Sequence, residues 1–464
     1  MTITVLGWII LPLSAVMIVL KPEWVYAMAI FFLPFSASAV VNVGSEDSGS
    51  GVQVWLYLAI LLLLRWTIVS LFRFEIRIKH ELRRPILYLF AFIAACALSL
   101  LMPLWINGRL QIMSPLLTDF SSTPLVFSSR NVTGLLYIII GFAFTVLIAN
   151  KNTRPEEFRR SSALYLASCT FAAIWGLLQF ALNIFDLPYP AMVFNNSITP
   201  SAGGYKETMG ALGFSRLSSV AVEPSLLVQT LLVGLAFTLP AVLGTGYIFG
   251  RYKDRMIAVL LVVVCLASTS SIGYLGLALL FGIACFALYR SGRLRAGVFV
   301  LAGCGALALI GAYFAFNMVR EVVGSALLNK GGSYSALERA KTIYYALQYF
   351  LDYPVLGVGW ASVTSHDVVA LILSNTGIVG FTAFCAFLGV MFSGLFKKAR
   401  TILSKCYFDQ APLVLSIACA EMLILATITG FPGVFGHFWF ILGMGIAASL
   451  QMLNQEPIFA RRTA

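Results

Sequence analysis

Long apolar stretches alternate with short polar ones along the whole chain. Apolar runs of roughly 20 residues match the hydrocarbon core of a bilayer. They fall at Ile3–Leu20, Trp24–Val43, Val52–Phe72, Pro85–Ile106, Gly134–Asn150 and Ser162–Ile184, then at Ala221–Tyr247, Met256–Tyr289, Ala296–Phe316, Asp367–Phe396, Ala411–Gly430 and Phe435–Leu453. Met256–Tyr289 is too long for one crossing and short for two, which predicts two short helices breaking at Ser268–Gly273. The pattern predicts an all-α, polytopic membrane protein with twelve or thirteen transmembrane helices in a single domain, residues 1–464. The first run has no small-residue cleavage site and is followed directly by another, so it reads as a retained span rather than a signal peptide.

Composition agrees with this pattern: 60% of residues are hydrophobic and 11% charged, against roughly 25% charged in soluble proteins. The net charge of +12 does not point to a nucleic-acid partner, because its placement follows the positive-inside pattern. Basic clusters stand at Arg73–Arg84, Lys151–Arg160, Arg251–Arg255, Arg290–Arg295, Lys397–Lys405 and Arg461–Arg462, each one hairpin from the next. All of them can share the cytoplasmic side. The connections Gly44–Gly51, Asn107–Thr133, Phe185–Val220 and Asn317–His366 are then extracytoplasmic, while Lys21 alone between the first two spans leaves the side of Met1 open. Six of the eight cysteines and their neighbours carry no CxxC or Cys/His ligand spacing, nor do Cys304 and Cys406, so neither a disulfide framework nor a zinc site is expected.

Two outer loops are longer than a connector needs, which points to function or disorder. In the loop 317–366, Ala336–Leu351 has the periodicity of an amphipathic helix, suited to lying on the membrane surface. Its polar residues include Arg339 and Asp352, followed by the turn Tyr353-Pro-Val-Leu-Gly-Val-Gly359 and by His366 at the mouth of the next span. His366 reads either as a structural loop residue or as a base. The loop 185–220 ends in Arg216 and runs into Glu223-Pro224-Ser225 at a helix start. Proline suits a first helical turn, the free N–H groups there attract anions, and the Arg216 fork suits phosphate. Glu223 reads as a cap or dipole partner, as an orienter of Arg216, or as a contact to sugar hydroxyls. Tyr344, Tyr345, Tyr349 and Trp360 read as an interfacial aromatic belt or as stacking surfaces for sugar rings. Arg65 can snorkel to the cytoplasmic surface, Glu421 sits in mid-span where a carboxylate is paired or neutral, and His437 lies in the turn between the last two spans.

These motifs resemble the O-antigen ligase and Wzy-type polysaccharide polymerase superfamily. The resemblance is carried by Arg339, Asp352, Pro354-Val-Leu-Gly-Val-Gly359, His366 and Gly377-Ile-Val-Gly380, preceded by Arg216 with Pro224-Ser225 and by the serine-rich break Ser268–Gly273. The chain departs from the family pattern at Ile272, where an Arg is usual, at Asp367, where an Asn is, and at Asn375, where a Glu is. The resemblance implies a GT-C-like fold with a large extracytoplasmic loop, in the bacterial cytoplasmic (inner) membrane, with its site facing the periplasm or exterior. It implies an inverting, metal-independent glycosyl transfer without a cofactor, from a polyprenyl-diphosphate-linked oligosaccharide to a glycan acceptor. Chain-length regulator, flippase and lipid bilayer are the other expected partners. Catalysis then falls to Arg216 and Arg339 on the diphosphate and to His366, near its ordinary pKa, as general base. Substrate binding falls to Glu223, Tyr345, Trp360 and Asp352. A polymerase acting on another lipid-linked repeat unit is the leading expectation, a ligase acting on lipid A core the alternative. A membrane transporter or lipid flippase is the alternative of another class.

Overall fold

The computed structural model describes residues 1–44, 49–73, 78–113, 121–199, 208–209, 214–244, 246–290, 334–399 and 407–450. The expected span Ala296–Phe316, the loop residues 317–333, most of the turn-rich stretch after Thr199, Cys304, Cys406 and the basic residues Arg77, Arg293, Arg295, Arg400, Lys405, Arg461 and Arg462 lie outside the described residues. In chain order the helices are α1 (Val5–Leu20), α2 (Pro22–Phe31), α3 (Val54–Arg73), α4 (Arg83–Ser99), α5 (Leu101–Ile106), α6 (Ser129–Lys151), α7 (Pro155–Ile184) and α8 (Ala191–Phe194). They continue as α9 (Pro224–Val242), α10 (Arg251–Ala267), α11 (Ser271–Arg290), α12 (Tyr334–Asp352), α13 (Val368–Ala399), α14 (Tyr407–Thr429) and α15 (Gly436–Leu450).

Among the described residues, seven helical segments are long and apolar enough to cross a membrane: Val54–Phe72, His80–Ile106, Ser129–Lys151, Pro155–Ile184, Pro224–Val242, Val368–Ala399 and Asp409–Thr429. Val5–Leu20, Ser271–Cys285 and Gly436–Leu450 are shorter apolar helices. The described chain is thus mostly helical, with helices whose length and apolar character are compatible with insertion in a membrane. The expected break between α10 and α11 falls at Ser268–Ser270, where Thr269 takes a positive φ of 53° and the Ser268 hydroxyl donates back to Cys265 O. Small residues let the bundle close: a side chain on Gly141 would run into Trp439, and one on Gly443 into Ile148, which seats α15 on α6.

The second apolar run is not one helix. After ten residues α2 ends at Phe31, and the chain turns through Leu33–Ser38 into strand β2 (Ala39–Val43). Ten residues span about 15 Å, half of the hydrocarbon core. Pro34 and the β-branched sequence Ala39-Val-Val-Asn-Val favour this departure, and the buried backbone is matched by other loops. Ala37 N donates to Val220 O, Ser197 N to Ala37 O, and Val222 N to the Ser36 hydroxyl. Buried non-helical backbone is tolerated when other protein groups satisfy it in this way.

Strand β1 (Thr2–Ile3) pairs antiparallel with β2, and β2 with β3 (Ser50–Gln53). Met1 therefore lies at the end of the bundle that carries the 44–51 connection. At the opposite end, Glu23 in the first turn of α2 binds Lys151 at 2.8 Å and Arg160 at 3.4 Å, both members of one basic cluster. The side of Met1, open from sequence, is thereby fixed relative to the loops.

Candidate functional site

The turn Tyr353–Gly359 and the middle of α13 form a single device. Gly377 has φ 62° and ψ −163°, so α13 breaks there. The turn inserts into the break: Val358 N donates to Ser374 O (2.7 Å) and Gly359 N to Asn375 O (3.1 Å), while Ile378 N donates to Pro354 O (2.8 Å) and Val379 N to Val355 O (3.3 Å). Two carbonyls before the break and two amides after it find their partners in the turn, as a buried helix interruption requires. Gly357 and Gly377 meet face to face, since a Cβ on either would strike the other segment's backbone.

This splice holds the loop that carries His366. Asn375, fully buried, accepts from Val363 N (3.1 Å) and donates to Val363 O (3.0 Å). Asn131 of α6 donates to Trp360 O and to the Ser362 hydroxyl. Asp367 caps the next helix, accepting from Ala370 N at 2.6 Å. Gly430, at the end of α14 with φ 88°, packs so closely that a Cβ there would lie 2.7 Å from Ser365 O. The two departures from the family pattern at Asp367 and Asn375 thus have structural work in this chain.

On the other side of His366 stands α12, as the amphipathic periodicity predicts. Its buried stripe is Thr342, Ala346 and Tyr349, and Tyr349 accepts from Met113 N at 2.9 Å. Arg339 lies on this stripe, one turn before Thr342. The Thr342 hydroxyl lies 2.9 Å from Arg339 O, 3.1 Å from His366 Nδ1 and 3.4 Å from His366 N. Arg339 Nε is buried and has no hydrogen-bond partner among the described residues. Burial first, and the Arg339 guanidinium second, push the His366 pKa down to about 4. The expectation of a histidine near its ordinary pKa is corrected by burial and by this one charged neighbour: His366 stays neutral well below neutral pH.

Two carboxylates complete the group. Burial pushes the Glu338 carboxyl up, Arg339 draws it back and Glu223 pushes it up again, so Glu223 at the start of α9 comes within electrostatic reach of α12. Glu223 is exposed and accepts from the Ser225 hydroxyl at 3.0 Å. Arg216 belongs to the same segment, whose backbone is clamped by Gln179: the side-chain amide donates to Arg216 O (3.3 Å) and accepts from Ser219 N (2.7 Å). Arg216 stands within electrostatic reach of Tyr274 of α11.

The other expected substrate contacts lie elsewhere. Trp360 is 5% exposed, in T-shaped contact with Phe92 and Phe431 and with its Nε1 donating to Gly134 O at 3.1 Å, so it is a core residue tying the turn to α4 and α6. Asp352 is exposed at the far end of α12, about 20 Å from Arg339 along the helix. Tyr345, 40% exposed, stacks on Tyr349 and meets Tyr344 edge-on, outside the Arg339–Thr342 stripe. Among the further candidates, Arg65 donates to Ile18 O at 2.9 Å, and His437 and Glu421 are buried, with His437 Nε2 and both Glu421 oxygens unpartnered among the described residues.

No family model matches the chain, and no curated protein matches it. The grouping of Arg339, Thr342, His366, Glu338 and Glu223 therefore rests on this molecule's own geometry. Sequence reasoning missed Glu338 and Thr342. Their signal was spacing: Thr342 is three residues past Arg339 and shares its helix face.

Proposed function

We propose that this protein is a polysaccharide polymerase that moves a glycan from a polyprenyl-diphosphate carrier to a sugar hydroxyl of another lipid-linked repeat unit, on the extracytoplasmic face. The observation that carries the reading is Arg339 Nε, a buried cationic donor without a partner among the described residues, beside a neutral histidine at the mouth of a membrane helix. A diphosphate is the leaving group that such a donor stabilises, since charge-assisted bonds to phosphate are strong in water-poor sites. In the reaction the sugar C1–O bond to the diphosphate breaks and the acceptor oxygen bonds to C1. The acceptor proton passes to His366, and the departing diphosphate keeps the bonding electrons beside Arg339, with Arg216 as the second cation.

The low basicity of His366 fits this order of events. A bound diphosphate offsets the Arg339 charge, which removes one of the two causes that depress the histidine. The base strengthens when the donor is in place.

The test is reconstitution of the purified chain in lipid with a polyprenyl-diphosphate-linked oligosaccharide. A ladder of products from donor alone is expected; product that forms only with a lipid A core acceptor would make the protein a ligase. His366→Ala should abolish the ladder while the protein remains in the membrane, and polymer of normal length from that variant would refute the proposal. Glu421, buried in α14 with both oxygens unpartnered among the described residues, favours a second reading as a transporter or flippase. Loss of function in Glu421→Ala together with full function in His366→Ala would select it.

A further inference from the structure

The proton arrangement around Thr342 can be solved from donor counting. A hydroxyl has one proton and two lone pairs. Thr342 is fully buried, so water does not compete, and its oxygen has three neighbours: Arg339 O at 2.9 Å, His366 Nδ1 at 3.1 Å and His366 N at 3.4 Å. The carbonyl only accepts and the backbone amide only donates. If the hydroxyl proton pointed at Nδ1, the shortest of the three contacts would bring two oxygen lone-pair regions together at 2.9 Å with no proton between them. If it points at Arg339 O, as threonine in helices commonly does, all three contacts are satisfied and Nδ1 must carry a proton.

We infer that Thr342 is the positioning residue that holds His366 as its Nδ1–H tautomer, leaving Nε2 as the proton-accepting atom of the site. Nε2 has no hydrogen-bond partner among the described residues, and His366 is partly exposed. The same hydroxyl receives the His366 backbone amide, so it fixes both the ring's tautomer and its place on the chain. The tautomer assignment stands on geometry; its use in proton removal rests on the glycosyl-transfer reading above.

The chain has three histidines, which makes ¹⁵N-histidine magic-angle-spinning NMR of the full-length protein in bilayers tractable. A His366→Gln sample identifies the His366 signals by their loss. At pH 7.5 the wild type should show protonated Nδ1 and unprotonated Nε2 at His366. Thr342→Val, of nearly the same shape, should lose that signature and slow polymer formation about tenfold, the scale of one hydrogen bond at a reacting group. Thr342→Ser, which keeps the hydroxyl, should restore both. An Nε2–H tautomer in the wild type, or an unchanged Nδ1–H signature in Thr342→Val, overturns the inference. If the tautomer follows Thr342 while His366→Gln still makes polymer, the positioning stands and the glycosyl-transfer reading falls.

Discussion

Gly377→Ala is the sharpest test of the splice between the 353–359 turn and α13. The residue sits at φ 62°, ψ −163°, a region reserved for glycine, where another residue stores about 1–3 kcal/mol of strain. The new Cβ would also overlap the Val355 carbonyl and lie 2.6 Å from Leu356 N, backbone atoms that cannot rotate away. The turn must then retreat, and four backbone hydrogen bonds cross that seam. Leaving one buried amide or carbonyl unpaired adds about 1–3 kcal/mol, for a total near 4 kcal/mol. The matched control is Gly389→Ala in the same helix, where a Cβ meets nothing within 4 Å and φ is not positive. That change should be neutral or stabilise by up to about 1 kcal/mol. Unfolding by SDS titration in mixed micelles measures both variants. Because His366 hangs between Gly359 and Gly377, polymer synthesis should fall in the first variant and persist in the second. Stabilities of the two variants agreeing within about 0.5 kcal/mol, the spread of ordinary surface changes, would refute the splice as the element that holds the loop.

Four further outcomes follow from the same geometry. His366 in the folded chain takes its proton near pH 4 and in the unfolded chain near 6.5, so the unfolded state holds the extra proton in between and stability falls as pH drops through that window; His366→Gln should flatten this slope, and an identical slope would show that the residue is not buried beside a cation. Inorganic pyrophosphate, by offsetting Arg339, should raise the His366 pKa in an NMR titration, and Arg339→Gln should remove the response; a midpoint unmoved in the wild type would deny the anion a place beside the guanidinium. Asn375→Ala leaves the Val363 amide and carbonyl unpaired in the interior and should cost about 2–4 kcal/mol, with lower activity at unchanged membrane insertion as the accompanying readout. Gly430→Ala combines a positive φ with a Cβ 2.7 Å from Ser365 O and should reduce turnover more than stability; equal turnover would mean that Ser365 yields without moving His366.

The sequence made the helical membrane architecture legible because hydrophobic length is a one-dimensional property. It failed at α2, where a run of twenty apolar residues splits into a ten-residue helix and a buried strand. Hydropathy cannot separate those two states, since either can be apolar on all sides; what decides is whether distant segments such as Ser197 and Val220 come to satisfy the backbone. The same reasoning applies to Trp360, which reads along the chain as part of an interfacial aromatic belt or as a stacking surface for a sugar ring. Its neighbours in space are Phe92 and Phe431, more than 70 residues away on either side.

Arg339 and His366 were legible as separate signals, a cation on a helix stripe and a histidine at a helix mouth. Their mutual effect was not: it lowers the basicity of the histidine while leaving it neutral and able to accept a proton. Burial, and after it the Arg339 guanidinium, keeps the imidazole neutral, and Thr342 decides which nitrogen of that imidazole is free. The glycine motifs at 357–359 and 377–380 likewise read along the chain as a turn and a helical stretch. In space each glycine exists because of the other: the turn can enter α13 only where Gly377 breaks it, and the break is tolerable only because the turn's amides and carbonyls fill it. A substitution in either motif should therefore behave as a lesion in both. A double change at Gly357 and Gly377 should cost little more than the worse single one.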